Sequence, residues 1–160
     1  MSATTPFVGV RVFSDLRQTV ASIDTRDSTV IGLTLPAPLA DNTAFPLNEP
    51  VALSLDDSEQ IVKLGAGLAL DTVNQILSEG IVTDISFVRV AEGVDAEATL
   101  NNIVGSAGAK TGVWAQLEAK DHIGLEPGLL IAPGYTSSRP GNAANPVVVA
   151  MDAICNRIID

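Results

Sequence analysis

Cysteine and histidine are almost absent from this chain: Cys155 and His122 are the single representatives among 160 residues. One thiol excludes an intrachain disulfide and a cysteine-based zinc centre, and one imidazole cannot assemble a histidine-based metal site. Cys155 lies in an apolar helical run, which predicts a buried and inert thiol. Any Ser-His-Asp machinery would have to use His122, but Asp121 is its immediate neighbour and points elsewhere. No Gly-x-Ser-x-Gly elbow supplies a nucleophile either. His122 is therefore expected to be a loop or turn residue, and no catalytic residue, metal or cofactor is expected. Basic residues are also scarce, 9 against 19 acidic, for a net charge of −10. Binding driven by phosphate neutralisation is excluded on that balance, so nucleic acid is not an expected partner. No run approaches the roughly 18 to 20 apolar residues of a membrane span, and the start MSATTPFVGV lacks a basic region followed by an apolar block. A protein made in the cytosol, with no membrane partner, is expected.

What is abundant is apolar surface. Hydrophobic residues make up 46% of the chain against 18% charged, and mean hydropathy is +0.31. That is high for a soluble monomer and predicts apolar area buried against another molecule. The acid is unevenly spread. Arg11, Arg17 and Arg26 balance Asp15, Asp24 and Asp27 in the first thirty residues, so the whole excess lies in the body that follows. The organisation expected is an extended N-terminal arm and linker over 1–28, then one domain over 29–160.

Strand and helix patterns alternate along that domain. Thr29 to Leu35 is a nearly continuous apolar run around Gly32, suited to a strand covered on both faces. Pro36, Pro38, Pro46 and Pro50 enforce a loop, after which Val51 to Leu55 reads as a strand. Asp56-Asp57-Ser58-Glu59 starts a helix, and a second runs from Leu68 to Ser78 with Gly80 as its stop. Ile81 to Val90 is the next strand, followed by a helix from Asp95 to Val104 and a small one around Val113 to Lys120, grouping Val113, Trp114 and Leu117. Leu129 to Pro133 reads as a buried strand. Asn145-Pro146 opens a last helix whose stripe is Val147, Met151, Ile154 and Ile158. The expected fold is α/β, with α+β the alternative: a mixed sheet with helices packed on it. An alternating design would return from the last helix to another strand, so either the sheet is complete or the sequence is a fragment.

Three further groups carry a functional and a plain reading. Gly65-Ala66-Gly67 sits where a phosphate loop would, but Leu70 stands where the dinucleotide fingerprint needs glycine, which favours a helix break. Asp56, Asp57 and Glu59 lack the spacing of a calcium loop and read as helix capping. Trp114 and Tyr135 read as packing or subunit contacts rather than base-stacking platforms. The arm is different. Phe7, Gly9, Arg11 and Phe13 alternate with Val8, Val10 and Val12 at the period of a strand, which either folds back on its own sheet or adds to a neighbour's sheet edge.

In order, GVRVF (9–13), TRDSTVIGLTLPAP (25–38), FPLNEPVAL (45–53), ISFVRVAEG (85–93), LLIAPGY (129–135) and VVVAMDAICNRI (147–158) resemble the N-terminal portion of the contractile tail sheath proteins of bacteriophages and R-type tailocins. The resemblance implies a structural subunit of the virion tail, assembled in the bacterial host cytoplasm into stacked six-fold rings around a tube. It implies neighbouring sheath subunits, the tail tube, the baseplate and the tail terminator as partners, with the arm Phe7 to Phe13 joining subunits by strand addition. It also implies a C-terminal sheath domain beyond these residues. Two other classes compete: a small α/β enzyme or nucleotide-binding domain, and an adaptor of a baseplate or secretion apparatus.

Overall fold

The apolar runs become strands β1 (Ile31–Pro36), β2 (Pro50–Ser54), β3 (Asp84–Val90) and β4 (Leu129–Ile131) in a computed structural model that describes residues 30–80 and 83–159. They form one sheet in the order β2-β3-β1-β4, with β1 parallel to both β3 and β4, and β2 antiparallel to β3. Helices α1 (Ser58–Val62), α2 (Leu68–Ser78), α3 (Ala96–Val104), α4 (Ala119–Ile123) and α5 (Pro146–Ile159) lie around it. The fold is α/β with a mixed sheet, as the alternating pattern predicts. The arm Phe7 to Phe13 lies outside the described residues.

Alternation along the strands divides the core in two. Leu33, Leu35, Leu53, Ile85 and Phe87 face one side, where Ile61 of α1 and Ala69 and Val73 of α2 cover them. Phe45 from the β1–β2 loop closes that side, meeting Phe87 edge to face at 5.4 Å. On the other side Val88 and Val90 join Ile103 of α3 and Val147, Met151 and Ile154 of α5. Burial on both faces explains why β1 reads as a nearly continuous apolar run rather than an alternating one. Gly32 lets β4 and the turn before it approach β1 closely. A Cβ there would lie 2.6 Å from Leu130 Cδ2 and 3.0 Å from Pro127 Cβ.

Caps fix the helix starts. The Asp57 carboxylate accepts from the backbone N–H of Glu59 and Gln60, Asp95 accepts from Ala98 N, and the Asn145 side chain accepts from Val147 N and Val148 N. Capping, the plain reading of the Asp56-Asp57-Glu59 group, is what Asp57 does. Asn145 is itself buried, and its amide also donates to the carbonyls of Tyr135 and Ser138, so one side chain holds both the β4–α5 loop and the start of α5.

Two expectations are corrected and one is sharpened. Cys155 is exposed, not buried. It follows Ile154 by one position, a turn of about 100° in a helix, which carries it off the buried stripe. The small helix is a 3-10 helix, Gly112–Glu118, running into α4. Its buried residues Val113 and Gln116, and then Ala119 at the start of α4, recur every third position, the period that sets side chains of a 3-10 helix above one another. Finally, β4 is not a fully buried strand: Leu129 is 53% exposed at the sheet edge. Ile154 at full burial anchors α5 on the second core. Ile154→Ala is expected to destabilise the domain by about 2 to 5 kcal/mol, read as a lowered midpoint of chemical denaturation.

Candidate functional site

The residues with possible chemistry do not converge. His122 is exposed on α4, and no group of three or more His, Cys, Asp or Glu side chains among the described residues is placed to hold a metal ion. Gly65 and Gly67 separate α1 from α2, and Gly67 has φ 139° immediately before α2. Gly65 has φ 68°, and a Cβ there would sit 2.3 Å from the Leu39 carbonyl oxygen, so the glycine is needed for chain packing. Trp114 is half-buried under the Arg157 guanidinium, 5.1 Å from its ring centroid, a contact between the 3-10 helix and α5. The Tyr135 phenol packs against both cores, and its pKa is raised by burial and then by the charge of Glu92.

Two of the sequence pieces singled out above do converge. Arg89, near the end of β3, is 6% exposed, and its Nη1 donates to Asn42 Oδ1 at 2.6 Å and to the Phe45 carbonyl at 3.1 Å. Asn48, held at φ 58°, donates its backbone N–H to the Arg89 carbonyl, while its side-chain oxygen accepts from Gly112 N. FPLNEP is thus clamped onto VRV and onto the start of the 3-10 helix. Among the described residues Arg89 has no ion pair, and its Nε has no hydrogen-bond partner. A buried guanidinium held by neutral oxygens is costly to strand, which makes the loop's fold dependent on it.

Gln116 plays the corresponding part under the sheet. It is 1% exposed; its carbonyl accepts from Ser86 Oγ, and its amide donates to Ser86 O, to Thr34 Oγ1 and, at 3.4 Å, to Leu33 O. Neither this residue nor Gln60 was singled out by sequence reasoning. A glutamine in the apolar run Val113 to Leu117 was the available signal for Gln116.

The two sheet edges differ. At β2, Gln60 Nε2 donates to Ala52 O at 2.8 Å and Gln60 Oε1 accepts from Ser54 N at 3.3 Å. Asp57 N bonds Ser54 O, and Pro50 has no N–H to offer. One primary amide therefore stands where a further strand would bond, and this edge is closed. At β4 no strand among the described residues pairs with the other edge. Leu129 N bonds back to Val30 O, so by alternation the Leu130 N–H and C=O point away from β1.

An α/β domain with a clamped loop and, among the described residues, one unpaired sheet edge is what these residues define. No family model matches the chain. It is similar to the "Major tail sheath protein" of Serratia phage KSP20, 34% identical over 139 residues, covering 81% of this chain and 34% of that protein. It is likewise similar to the "Tail sheath protein" of Escherichia phage P2, 29% identical over 159 residues, with 94% of this chain and 38% of that protein covered. The "Putative prophage major tail sheath protein" of Pseudomonas aeruginosa (strain UCBPP-PA14) is 33% identical over 140 residues, covering 82% of this chain and 33% of that protein. The chain is thus a relative of bacteriophage tail sheath proteins, as its motifs indicate, and it spans about a third of the length of the relatives it matches.

Gln60→Ala is expected to cost about 1 kcal/mol through its lost hydrogen bonds and to free Ala52 O and Ser54 N for pairing between copies. Sedimentation velocity should then show association that the parent chain lacks at the same concentration.

Proposed function

We propose that this chain is the N-terminal portion of a subunit of a phage-type contractile tail sheath. In this reading its α/β domain takes a place in stacked six-fold rings around a tail tube, and contraction of the sleeve drives the tube through the host envelope. The observation that carries the reading is similarity along most of the chain to three tail sheath proteins, from two phages and a prophage. The partners are neighbouring sheath subunits, the tube, the baseplate and the tail terminator; the location is the virion tail, after assembly in the host cytoplasm. The role is architectural, and catalysis is not part of it. Residues 1–28 form the arm and linker, with Phe7, Val8, Gly9, Val10, Arg11, Val12 and Phe13 adding as a strand to a neighbouring subunit. A C-terminal sheath domain completes the subunit.

A nucleotide-binding reading is disfavoured at its own best motif. Gly65 is accounted for by chain packing, since a Cβ there would lie 2.3 Å from the Leu39 carbonyl oxygen, and Leu70 stands where the dinucleotide fingerprint needs a further glycine. A baseplate or secretion adaptor would share the arm but would build no sleeve, and microscopy separates the two.

His122→Ala in the complete sheath protein is expected to leave particle infectivity unchanged, because the side chain is exposed on α4 with no catalytic constellation around it. Loss of infectivity with normal assembly would overturn the architectural reading. Deleting residues 1–13 is expected to leave the thermal unfolding of the 160-residue chain unchanged and to abolish extended sleeves of the complete protein in negative stain. Sleeves that still form and contract would remove the linking role, and a lost unfolding transition would assign the strand to the local sheet.

A further inference from the structure

The loop between β3 and α3 carries a valine that nothing in the described fold covers. Val94 is fully exposed, and Glu92, Asp95 and Glu97 around it are exposed as well. A lone surface valine is ordinary, but this one sits on a braced loop. Gly93 N donates to Thr99 Oγ1 at 3.0 Å, that hydroxyl donates to the Asp95 carbonyl at 2.8 Å, and Asp95 Oδ1 accepts from Ala98 N at 2.7 Å. Gly93 lies so close to α3 that a Cβ there would stand 2.5 Å from the Ala98 Cβ. The tip is thus held in one shape before it meets anything, which lowers the ordering cost of a contact.

A matching hollow lies at the other end of the sheet. Leu117, Pro127 and Ile158 line it with apolar surface, and Lys120, Glu126 and Arg157 line it with charge, around a volume of about 180 Å³. An apolar cavity of about 150 Å³ accepts benzene, so a valine side chain fits. Lys120 pairs with Glu126, whereas Arg157 is exposed over the Trp114 ring and has no ion pair among the described residues. The lining is therefore net positive, two cations against one carboxylate, in a chain of net charge −10. Residues 91–97 carry three carboxylates and no cation. Size and charge both match, yet the two surfaces cannot meet within one molecule. Pro127 precedes β4, whose Leu129 stands beside Ile31 at the start of β1, while Val94 follows β3, whose Val90 stands beside Pro36 at the end of β1. The roughly 20 Å of a six-residue strand separates them.

We propose that Val94 of one copy of this chain inserts between Leu117, Pro127 and Ile158 of a second copy, with the carboxylates of its loop facing Arg157 and Lys120 there. One surface meets a different one, so the contact is heterologous: it passes from copy to copy and closes into a ring or continues as a helix. The contact deepens the subunit reading above and rests on it for neighbouring copies to be present. Neither sheet edge takes part.

Two variants, each lacking one surface, isolate this contact. Val94→Asp removes the apolar tip and Arg157→Glu reverses the charge at the recess, and because both side chains are exposed the fold is expected to be unchanged. A contact this small is weak, so it is read by NMR at about 1 mM chain. Isotope-labelled Val94→Asp chain, whose recess is intact, is titrated with unlabelled Arg157→Glu chain, whose loop is intact. The expected result is shifts at the Leu117, Lys120 and Ile158 amides and at the indole N–H of Trp114, the single tryptophan. With the labels exchanged, the shifts are expected at Gly93 to Glu97, and either variant mixed with its own unlabelled form is expected to show neither set. Raising salt from about 0.05 to about 0.5 M is expected to reduce the shifts about threefold. No shift at these positions in the mixture overturns the proposal, as does an equal recess shift with Val94→Asp as the unlabelled partner. Recess shifts produced by inorganic phosphate but not by the loop-bearing copy identify an anion subsite and overturn it too. So do recess shifts caused by deleting residues 1–28 from the labelled chain together with no response to the added copy, since the arm would then be the occupant. The titration needs no sleeve: its failure leaves the sheath reading standing, and absence of sleeves in microscopy leaves a measured contact standing.

Discussion

Parallel pairing of β1 with β3 is the constraint on which the rest depends. The pair runs in register from Ile31 opposite Ile85 to Pro36 opposite Val90, and parallel neighbours need long crossovers that place helices against the sheet. Both faces of these strands are then dry, and each polar group on them must find a partner within the protein. Leu33, Leu35, Ile85 and Phe87 meet α1, α2 and Phe45 on one side. On the other, Thr34 and Ser86 would be stranded under α3 and α5 were it not for Gln116, whose amide serves both strands at once. A 3-10 helix rather than an α-helix presents that amide, since its three-residue period keeps Val113, Gln116 and Ala119 on one line.

The same logic accounts for the Arg89 junction. Residue 89 must alternate onto the Phe87 face, beyond the reach of α1 and α2, and there the proline-rich loop covers it. An arginine at that position can bond two parts of the loop at once, through Asn42 Oδ1 and Phe45 O, while Asn48 ties the same loop to β3 and to Gly112. Asp41 tightens the turn by accepting from Thr43 N and Ala44 N, bonds that lower its pKa. The contribution is therefore present above the ordinary carboxylate range and lost as pH falls through the lowered value. FPLNEP and VRVAEG, two of the pieces that carry the resemblance to tail sheath proteins, meet in a structural joint.

The two edges of the sheet are treated differently among the described residues. Gln60 and Pro50 seal β2, a common protection against unwanted strand pairing, whereas β4 offers backbone groups and an exposed leucine. The apolar excess of the composition finds part of its explanation here, with Val148 and Val149 also exposed on α5.

Local chemistry determined much of this from the sequence alone. Proline placement defined the loop from Pro36 to Pro50, Asp57, Asp95 and Asn145 announced helix starts through their capping oxygens, and the apolar run of β1 declared a strand covered on both faces. These features depend on a few neighbouring residues, so a sequence displays them. What only the tertiary structure decided depends on groups far apart in the chain. Gln116 meets Leu33 across 83 positions and Asn48 meets Gly112 across 64. Leu129 looks as apolar as Leu33, yet one lies at a sheet edge and the other is fully buried, because strand order is set by crossovers and not by composition. Cys155 was misjudged for a related reason: an apolar helix shows how many of its residues can be buried, while the packing of α5 on α3 and the 3-10 helix selects which of them are.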